Sequence, residues 1–434
     1  MSFGVIVFVI FFNFHNFFCE SFLFFYFKRY DDISPIALCL LQSSQSADTN
    51  GVIAGMSPEV TYPMDYCFLW FSGLLKFWQS SPIVKCSKDP ISKYSTLSST
   101  LLPRAIKCMN YLISPNCFVK NKGFILPTMY SIVIDWGYQD NGAFPINMAL
   151  NAMFLRALDS FIKWLTILGE TSSLIQTYES VRTTQLTLLC NYLHLPTKHN
   201  ITMNSTAVPK VENIDIKIIR KEDQHILQTE ASARINTLEF HAAALLLYSG
   251  LFDDDTNSII LNARLEVISL IKNSLNQMFP INENATRLSN PSVKSLTGFY
   301  TPYFQTFTFD GLFRFNECDF ILQQMKQAWG WSMKQSNSTW LEVFDNRWEA
   351  VHSWSGCPTW QLTKYLLGLT PRFDIGTRHF EIDLHLGAVE QSCNGTIPSR
   401  DGDAIIIKWI RKGTIIHYTL ELSEASFFFG LPSK

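Results

Sequence analysis

INMALNAMFLRALDSFIKWLTILGE, residues 146 to 170, carries the strongest periodic signal in this 434-residue chain. Met148, Leu150, Met153, Phe154, Ala157, Phe161, Leu165 and Leu168 recur at steps of three and four. That spacing puts them on one stripe of an α-helix, and Gly169 supplies its stop. Met148 and Met153 sit on that stripe and read as core. SSLIQTYESVRTTQLTLLCNYL follows at once, residues 172 to 193, and so short a connection predicts an antiparallel neighbour. Working outward, the same periodicity predicts helices over 232–250, 256–278, 304–333 and 358–368, a succession of helical hairpins with no short-period solenoid repeat.

Two regions break the helical period. Residues 194 to 230 are polar, with Pro and Asn, and read as a long excursion with at most a short hairpin. After Pro371 the alternation becomes strand-like in HFEIDLHL, residues 379 to 386, and in DAIIIKWIRKGTIIHYTLEL, residues 403 to 422, with Lys412 and Gly413 at the turn. The expected fold class is therefore mainly α: an α/α-barrel over residues 30–371, then a small β-sandwich-like domain over 372–434. Residues 1–29 stand apart as a Phe-rich apolar leader.

Composition narrows the function classes. Hydrophobic residues make up 47% and charged residues 17%, which describes a chain with an ample core. A net charge of -2 and the lack of a basic stripe interleaved with aromatics argue against nucleic-acid binding. The ten cysteines form neither a C-x-x-C nor a zinc-ligand spacing, and no acidic loop has calcium-ligand spacing. No metal, cofactor or disulfide framework is expected. Residues 1 to 27, MSFGVIVFVIFFNFHNFFCESFLFFYF, are long enough to cross a bilayer but are interrupted by Asn13, His15, Asn16 and Glu20. They lack the basic start and cleavage site of a good signal peptide. Three readings stand: a membrane or secretory signal, a buried helix, or sequence foreign to the domain. Membrane contact is expected through these residues alone. Sequons at Asn200, Asn204, Asn284, Asn337 and Asn394 suit a secreted or membrane-anchored protein, with an intracellular one still open.

The densest chemistry lies in NSTWLEVFDNRWEAVHSWSGCPTWQLTKYLLGLTP, residues 337 to 371. Aromatic rings alternate there with Glu342 and Glu349, and His352 and Trp354 follow. A site for a neutral sugar needs flat aromatic surface and hydroxyl-binding polar groups, because the ligand offers no charge to hold. Glycosidic hydrolysis with inversion adds two carboxyl groups about 6.5–9.5 Å apart, one protonating the leaving oxygen and one deprotonating water. Against this stands a helix end rich in Trp, with Glu342 a solvated terminal carboxylate, Asp135 a loop cap and His352 and Trp354 core residues. Tyr62, Asp65 and Trp70, at a helix start, read as core packing.

The order of segments resembles the catalytic and C-terminal β-domains of α-L-rhamnosidases, the six-hairpin (α/α)6 barrels of glycoside hydrolase family 78. The resemblance runs collinearly through QSADTNGVIAGMS (45–57), IDWG (134–137), Asn151 to Phe154, residues 301 to 345, HSWSGCPTWQLTKYLLGLTP (352–371) and SCNGTIPSRDGDAIIIKW (392–409). It implies inverting hydrolysis of terminal α-L-rhamnosyl residues in an L-rhamnose-containing glycoside. Glu342 would be the general base, and Asp135, Trp136, Trp340, His352 and Trp354 the sugar-binding groups. Two departures matter. The family writes Trp immediately before the basic Glu, whereas here Thr339, Trp340, Leu341 and Glu342 put the Trp one step early, so Glu and Trp cannot both be in register. The family's Asp/Arg/Glu-rich general-acid motif, upstream of the segment matched by Gln45 to Gly51, has no counterpart in residues 1 to 30, where Glu20 is the only carboxylate. The expectation is a barrel incomplete at its N-terminus, either a working hydrolase whose acid lies elsewhere or a catalytically impaired protein that at most binds sugar.

Overall fold

In the computed structural model the described residues are 40, 43–45, 47–53, 64–80, 93–135, 138, 140–197, 221–278, 301–335, 340–344, 352, 355–372, 374–375, 379–388, 391–398, 404–422 and 428–430. The Phe-rich leader, Trp136, Thr339, Glu349 and Trp354 lie outside them. The chain is mainly helical, with small sheets towards its C-terminus.

The helix read first from the sequence is Met148–Leu168. Asn147 caps it by accepting the Leu150 N–H at 2.8 Å, and Gly169, left-handed at φ 77°, closes it by donating its N–H to Leu165 and Thr166. In chain order the helices are α1 (Met64–Ser80), α2 (Lys93–Leu112), α3 (Met148–Leu168), α4 (Ser172–Tyr192), α5 (Lys221–Ile235), α6 (Phe240–Ser249), α7 (Ser258–Met278), α8 (Gln305–Phe313), α9 (Cys318–Gln335) and α10 (Cys357–Gln361), the last running into a π-helical turn at Leu362–Leu366. A two-stranded hairpin, β1 (Phe118–Val119) with β2 (Gly123–Phe124), lies between α2 and α3.

Ring and hydrogen-bond contacts fix how these helices run. Phe68 meets Phe154, Phe71 meets Phe161 and Trp78 meets Trp164, so α1 and α3 are parallel. Arg156 lies over Tyr248, and Met148 and Ala149 line the same cleft as Ala242, so α6 runs with α3. His241 packs on Phe304 and Tyr248 on Phe307, which adds α8 in the same direction. Gln361 donates to the Thr306 carbonyl and Tyr365 to Asp310, which adds α10. The array α1–α3–α6–α8–α10 thus gathers its N-termini at one end. Around it, α4 runs antiparallel to α3, as expected, through Tyr178 on Phe161, Arg182 on Asp159 and Gln185 on Asn151. The inner helices are apolar nearly all round: α1 buries Met64, Phe68, Trp70, Phe71, Leu74, Phe77 and Trp78. Each such side chain removed from water contributes about 1.5–3 kcal/mol before the entropy cost.

Several boundaries differ from the sequence reading. The excursion assigned to 194–230 contains the first part of α5, a polar helix beginning at Lys221, while residues 198–220 lie outside the described set. The helix expected over 232–250 is two, α5 and α6, separated at 236–239. That expected over 304–333 is broken between α8 and α9, where Asn316 takes the left-handed φ of 62°. Asparagine tolerates that region and ends the helix.

Past the π turn come β3 (Leu369–Pro371), β4 (His379–Ile382), β5 (Ser392–Pro398), β6 (Ala404–Lys412), β7 (Ile415–Leu422) and β8 (Phe428–Gly430). They form two three-stranded sheets, β3-β4-β8 and β5-β6-β7. The second is an antiparallel meander whose β6–β7 turn uses Gly413 at φ 63°. Along β6, Ile405, Ile407 and Trp409 are buried while Ile406 and Ile410 face solvent. Leu369, Phe380, Ile397, Ile405 and Ile407 bring the two sheets into one core. The meander docks on the helices through the Trp409 indole, which donates to the Leu366 carbonyl at 2.8 Å, and the Tyr418 hydroxyl, which donates to that of Leu367 at 2.7 Å.

Candidate functional site

The site lies where the parallel helices begin. Asp65, second residue of α1, is buried and accepts the backbone N–H groups of Val133 (3.0 Å) and Ile134 (3.1 Å). Those bonds hold a three-residue turn closed by the Asp135 N–H on the Val133 carbonyl, with Ile134 at φ 50°. Positive φ at a β-branched residue costs about 1–3 kcal/mol and persists where its surroundings impose it. Burial raises the Asp65 carboxyl above its ordinary value, although the two backbone donors pull the other way. Asp65 is therefore more than the core residue expected from the sequence: it braces the loop that presents Asp135.

Asp135 is buried, and its Oδ2 lies 3.1 Å from His241 Nε2 and accepts the Thr301 N–H at 3.2 Å. His241, near the start of α6, has its Nδ1 3.2 Å from Glu239 Oε2. Glu239 caps α6, accepting the N–H groups of His241 (2.8 Å) and Ala242 (2.6 Å). Burial disfavours the charged ring, but the hydrogen bonds to Asp135 and Glu239 outweigh it and lift His241 to about 9. At neutral pH it is a buried imidazolium between two carboxylates, walled edge-on by Tyr138, Phe240 and Phe304. A small cleft of about 10 Å³, lined by Tyr138, Asp140, Asn141, Phe144 and Glu239, adjoins this triad.

Glu342 lies in a separate segment whose charge is felt, with those of Asp65 and Asp135, at Tyr66. In the segment 340–343 burial alternates: Leu341 and Val343 are in the core, while Trp340 and Glu342 are only partly covered. Trp340 packs against the helical core. His352 folds back on this segment, donating its N–H to the Trp340 carbonyl at 3.0 Å and placing Nε2 3.5 Å from Glu342 Oε2. The Tyr66 phenol is pushed above the ordinary tyrosine range, first by burial and then by the charges of Asp65, Glu342 and Asp135.

Of the residues expected from the sequence, Asp135, Trp340, Glu342 and His352 are gathered at this end of the helices; Trp136 and Trp354 lie outside the described residues. The sequence reading did not single out His241, Glu239 or Tyr66; Asp65, read as core packing, is buried and in addition braces the Val133–Ile134 turn. The available signal was a histidine set in the otherwise apolar run FHAAALLLY, immediately after Glu239. Among the described residues no group of His, Cys, Asp and Glu is arranged to hold a metal ion, and no helix is long and apolar enough to cross a membrane.

Fold and site together define a mainly helical protein with a carboxylate–histidine centre at the N-terminal ends of parallel helices. No protein-family model matches the sequence, and a comparison with curated proteins found no match. Among solved structures, the chain is similar to a Streptomyces avermitilis α-L-rhamnosidase complexed with L-rhamnose, at a TM-score of 0.44 and 14% identity, over 88% of this chain and 31% of that one. The chain thus spans about a third of that protein's length.

Proposed function

We propose that this chain is a glycoside hydrolase of the α-L-rhamnosidase kind, built on a six-hairpin (α/α)6 toroid with a C-terminal β-domain, and that Glu342 is its general base. The observation that carries the reading is the pair Glu342–His352, 3.5 Å apart, beside Tyr66 and the Asp135 loop. In the proposed reaction Glu342 takes a proton from water as that water attacks the anomeric carbon, and the glycosidic oxygen leaves with a proton from an acid on the other face. His352 holds the Glu342 carboxylate in orientation. Trp340, Trp136 and Trp354 would supply aromatic surface for the sugar, and Asp135, through His241, would fix the charge and position of the adjoining wall. The ligand would be a glycoside bearing terminal L-rhamnose, met outside the cell or at a membrane.

A second reading, a sugar-binding protein without turnover, is favoured by how the buried Asp135 is held: it is paired with His241 and the Thr301 N–H rather than offered as a general acid. Asp65 does not fill that role, because both its oxygens accept backbone N–H groups of the turn it braces. Hydrolysis of an aryl α-L-rhamnoside by the purified protein, run beside Glu342→Gln, separates the two. Turnover abolished by the substitution supports the first reading. No turnover with retained L-rhamnose binding supports the second, and neither turnover nor binding removes both.

A further inference from the structure

A second charged centre lies farther along the same helices, away from the carboxylate end. Asp310 of α8 is buried, and burial would raise its carboxyl; the charges of Lys364, Lys76 and Arg156, with the Tyr365 hydroxyl, overcome this and hold it well below the ordinary range. Lys364 Nζ donates to Asp310 Oδ1 at 3.0 Å and to the Tyr365 oxygen at 2.6 Å, so this carboxylate is already matched by one ammonium. Lys76 from α1 and Arg156 from α3 bring further positive charge to the same place. The cost appears on Lys364: burial lowers it, Asp310 only partly restores it, and the like charges of Lys76 and Arg156 bring it to about 8.

Trp360 sits at the focus. The Lys76 and Lys364 ammonium groups lie 5.7 and 5.6 Å from its ring centroid. Its indole N–H is buried with no acceptor. Among the described residues Lys76 has this ring contact but no hydrogen bond and no ion pair. A half-buried ammonium and a buried N–H, both without an acceptor, with the charge of the Arg156 guanidinium acting on the same Asp310–Lys364 pair, make a donor set that lacks an anion. The π-helical turn that carries Lys364 is a form of backbone enriched at functional positions.

We propose that Lys76, Arg156 and the Trp360 indole form a binding site for a small oxyanion, phosphate-like or a carboxylate, next to the Asp310–Lys364 pair. The site is separate from Glu342 and His352 and stands whether or not the protein hydrolyses glycosides. It is tested on the full chain by equilibrium dialysis against labelled inorganic phosphate and, in a second arm, labelled glucuronate, with chloride holding ionic strength constant. Saturable binding in either arm is expected and tells which class of anion the site takes. Lys76→Met should weaken it roughly tenfold or more, and Lys76→Arg should restore most of it. The proposal is overturned if neither anion binds in preference to chloride, or if Lys76→Met, with an unchanged circular dichroism spectrum, binds as the wild type does. Should Lys76→Met fail to fold, Trp360→Phe, which removes the N–H donor together with part of the ring, must weaken binding, with an unchanged circular dichroism spectrum, for the proposal to stand.

Discussion

The buried pair Asp135–His241 predicts a particular dependence of stability on pH. In the unfolded chain His241 titrates near the ordinary value of about 6.5, and in the folded protein at about 9. A group whose pKa rises on folding stabilises the fold fully below its unfolded value and loses that contribution as pH climbs to its folded value. The gap corresponds to roughly 3 kcal/mol in all, of which about 2 kcal/mol disappears between pH 6.5 and 8. Above pH 8 the slope is opposed by Lys364, whose folded pKa of about 8 lies below its ordinary 10.5, so that folding becomes easier as it deprotonates. The window from 6.5 to 8 therefore isolates the histidine. Asp135→Asn removes one of its two carboxylate partners. At pH 6.5 the substitution should cost about 3–5 kcal/mol, the range for breaking a buried ion pair, and the cost should shrink as pH rises and the ring loses its charge. Urea unfolding followed by tryptophan fluorescence at several pH values measures both. A wild-type midpoint that is flat or rising across the window, or a variant that keeps the wild-type slope, would refute the assignment of a buried imidazolium.

Three further outcomes are expected. His352→Asn should lower kcat on an aryl α-L-rhamnoside by about tenfold with KM little changed, because it acts through the Glu342 carboxylate; an effect confined to KM would assign it to sugar binding instead. Asn151→Leu should destabilise the protein by about 3 kcal/mol or more, read from urea midpoints, because the Asn151 amide pairs with both backbone groups of Phe124 and with Gln185 in the core. Trp409→Phe, losing the indole bond to Leu366, should cost about 2 kcal/mol and speed proteolysis in residues 392–422 ahead of the helices; simultaneous cleavage throughout would mean that the sheets and helices unfold as one unit.

Legibility followed how much each segment owes to its own periodicity. The α3 helix could be read to within two residues because its stripe, its Asn147 cap and its Gly169 stop are all local. The β6–β7 hairpin was equally plain, since alternation and Gly413 agree. The α5 helix was not, because KEDQHILQTEASARI buries so few positions, Ala231 and Ile235 among them, that it reads as polar loop. The break after α8 depends on Asn316 taking a positive φ, a choice its sequence permits but does not announce. The proximity of Glu342 and His352 follows from their sharing one dense segment. His241 was hidden, since its two partners come from positions 135 and 239 and only tertiary packing joins them.

The two charged centres also explain each other. With the inner helices parallel, their dipoles add, leaving partial positive charge where Asp65 and Glu239 lie and partial negative charge towards Lys364 in the last turn of the π-helical segment. Each charge placed this way gains about 0.3–1 kcal/mol, more where it is partly buried. The arrangement favours acceptor groups at the start of the helices, where Asp65 and Glu239 take up backbone N–H groups. Farther along the helices a single buried carboxylate, Asp310, meets the charges of Lys76, Arg156 and Lys364 together. Reversing one sign should therefore be felt unequally. Lys76→Glu would set a carboxylate near a helix C-terminus but relieve the repulsion on Lys364, whereas Asp65→Lys would place an ammonium at a helix N-terminus and release the Val133–Ile134 turn that presents Asp135. The second change opposes both the dipole and the site, and it is the one this fold has no means to absorb.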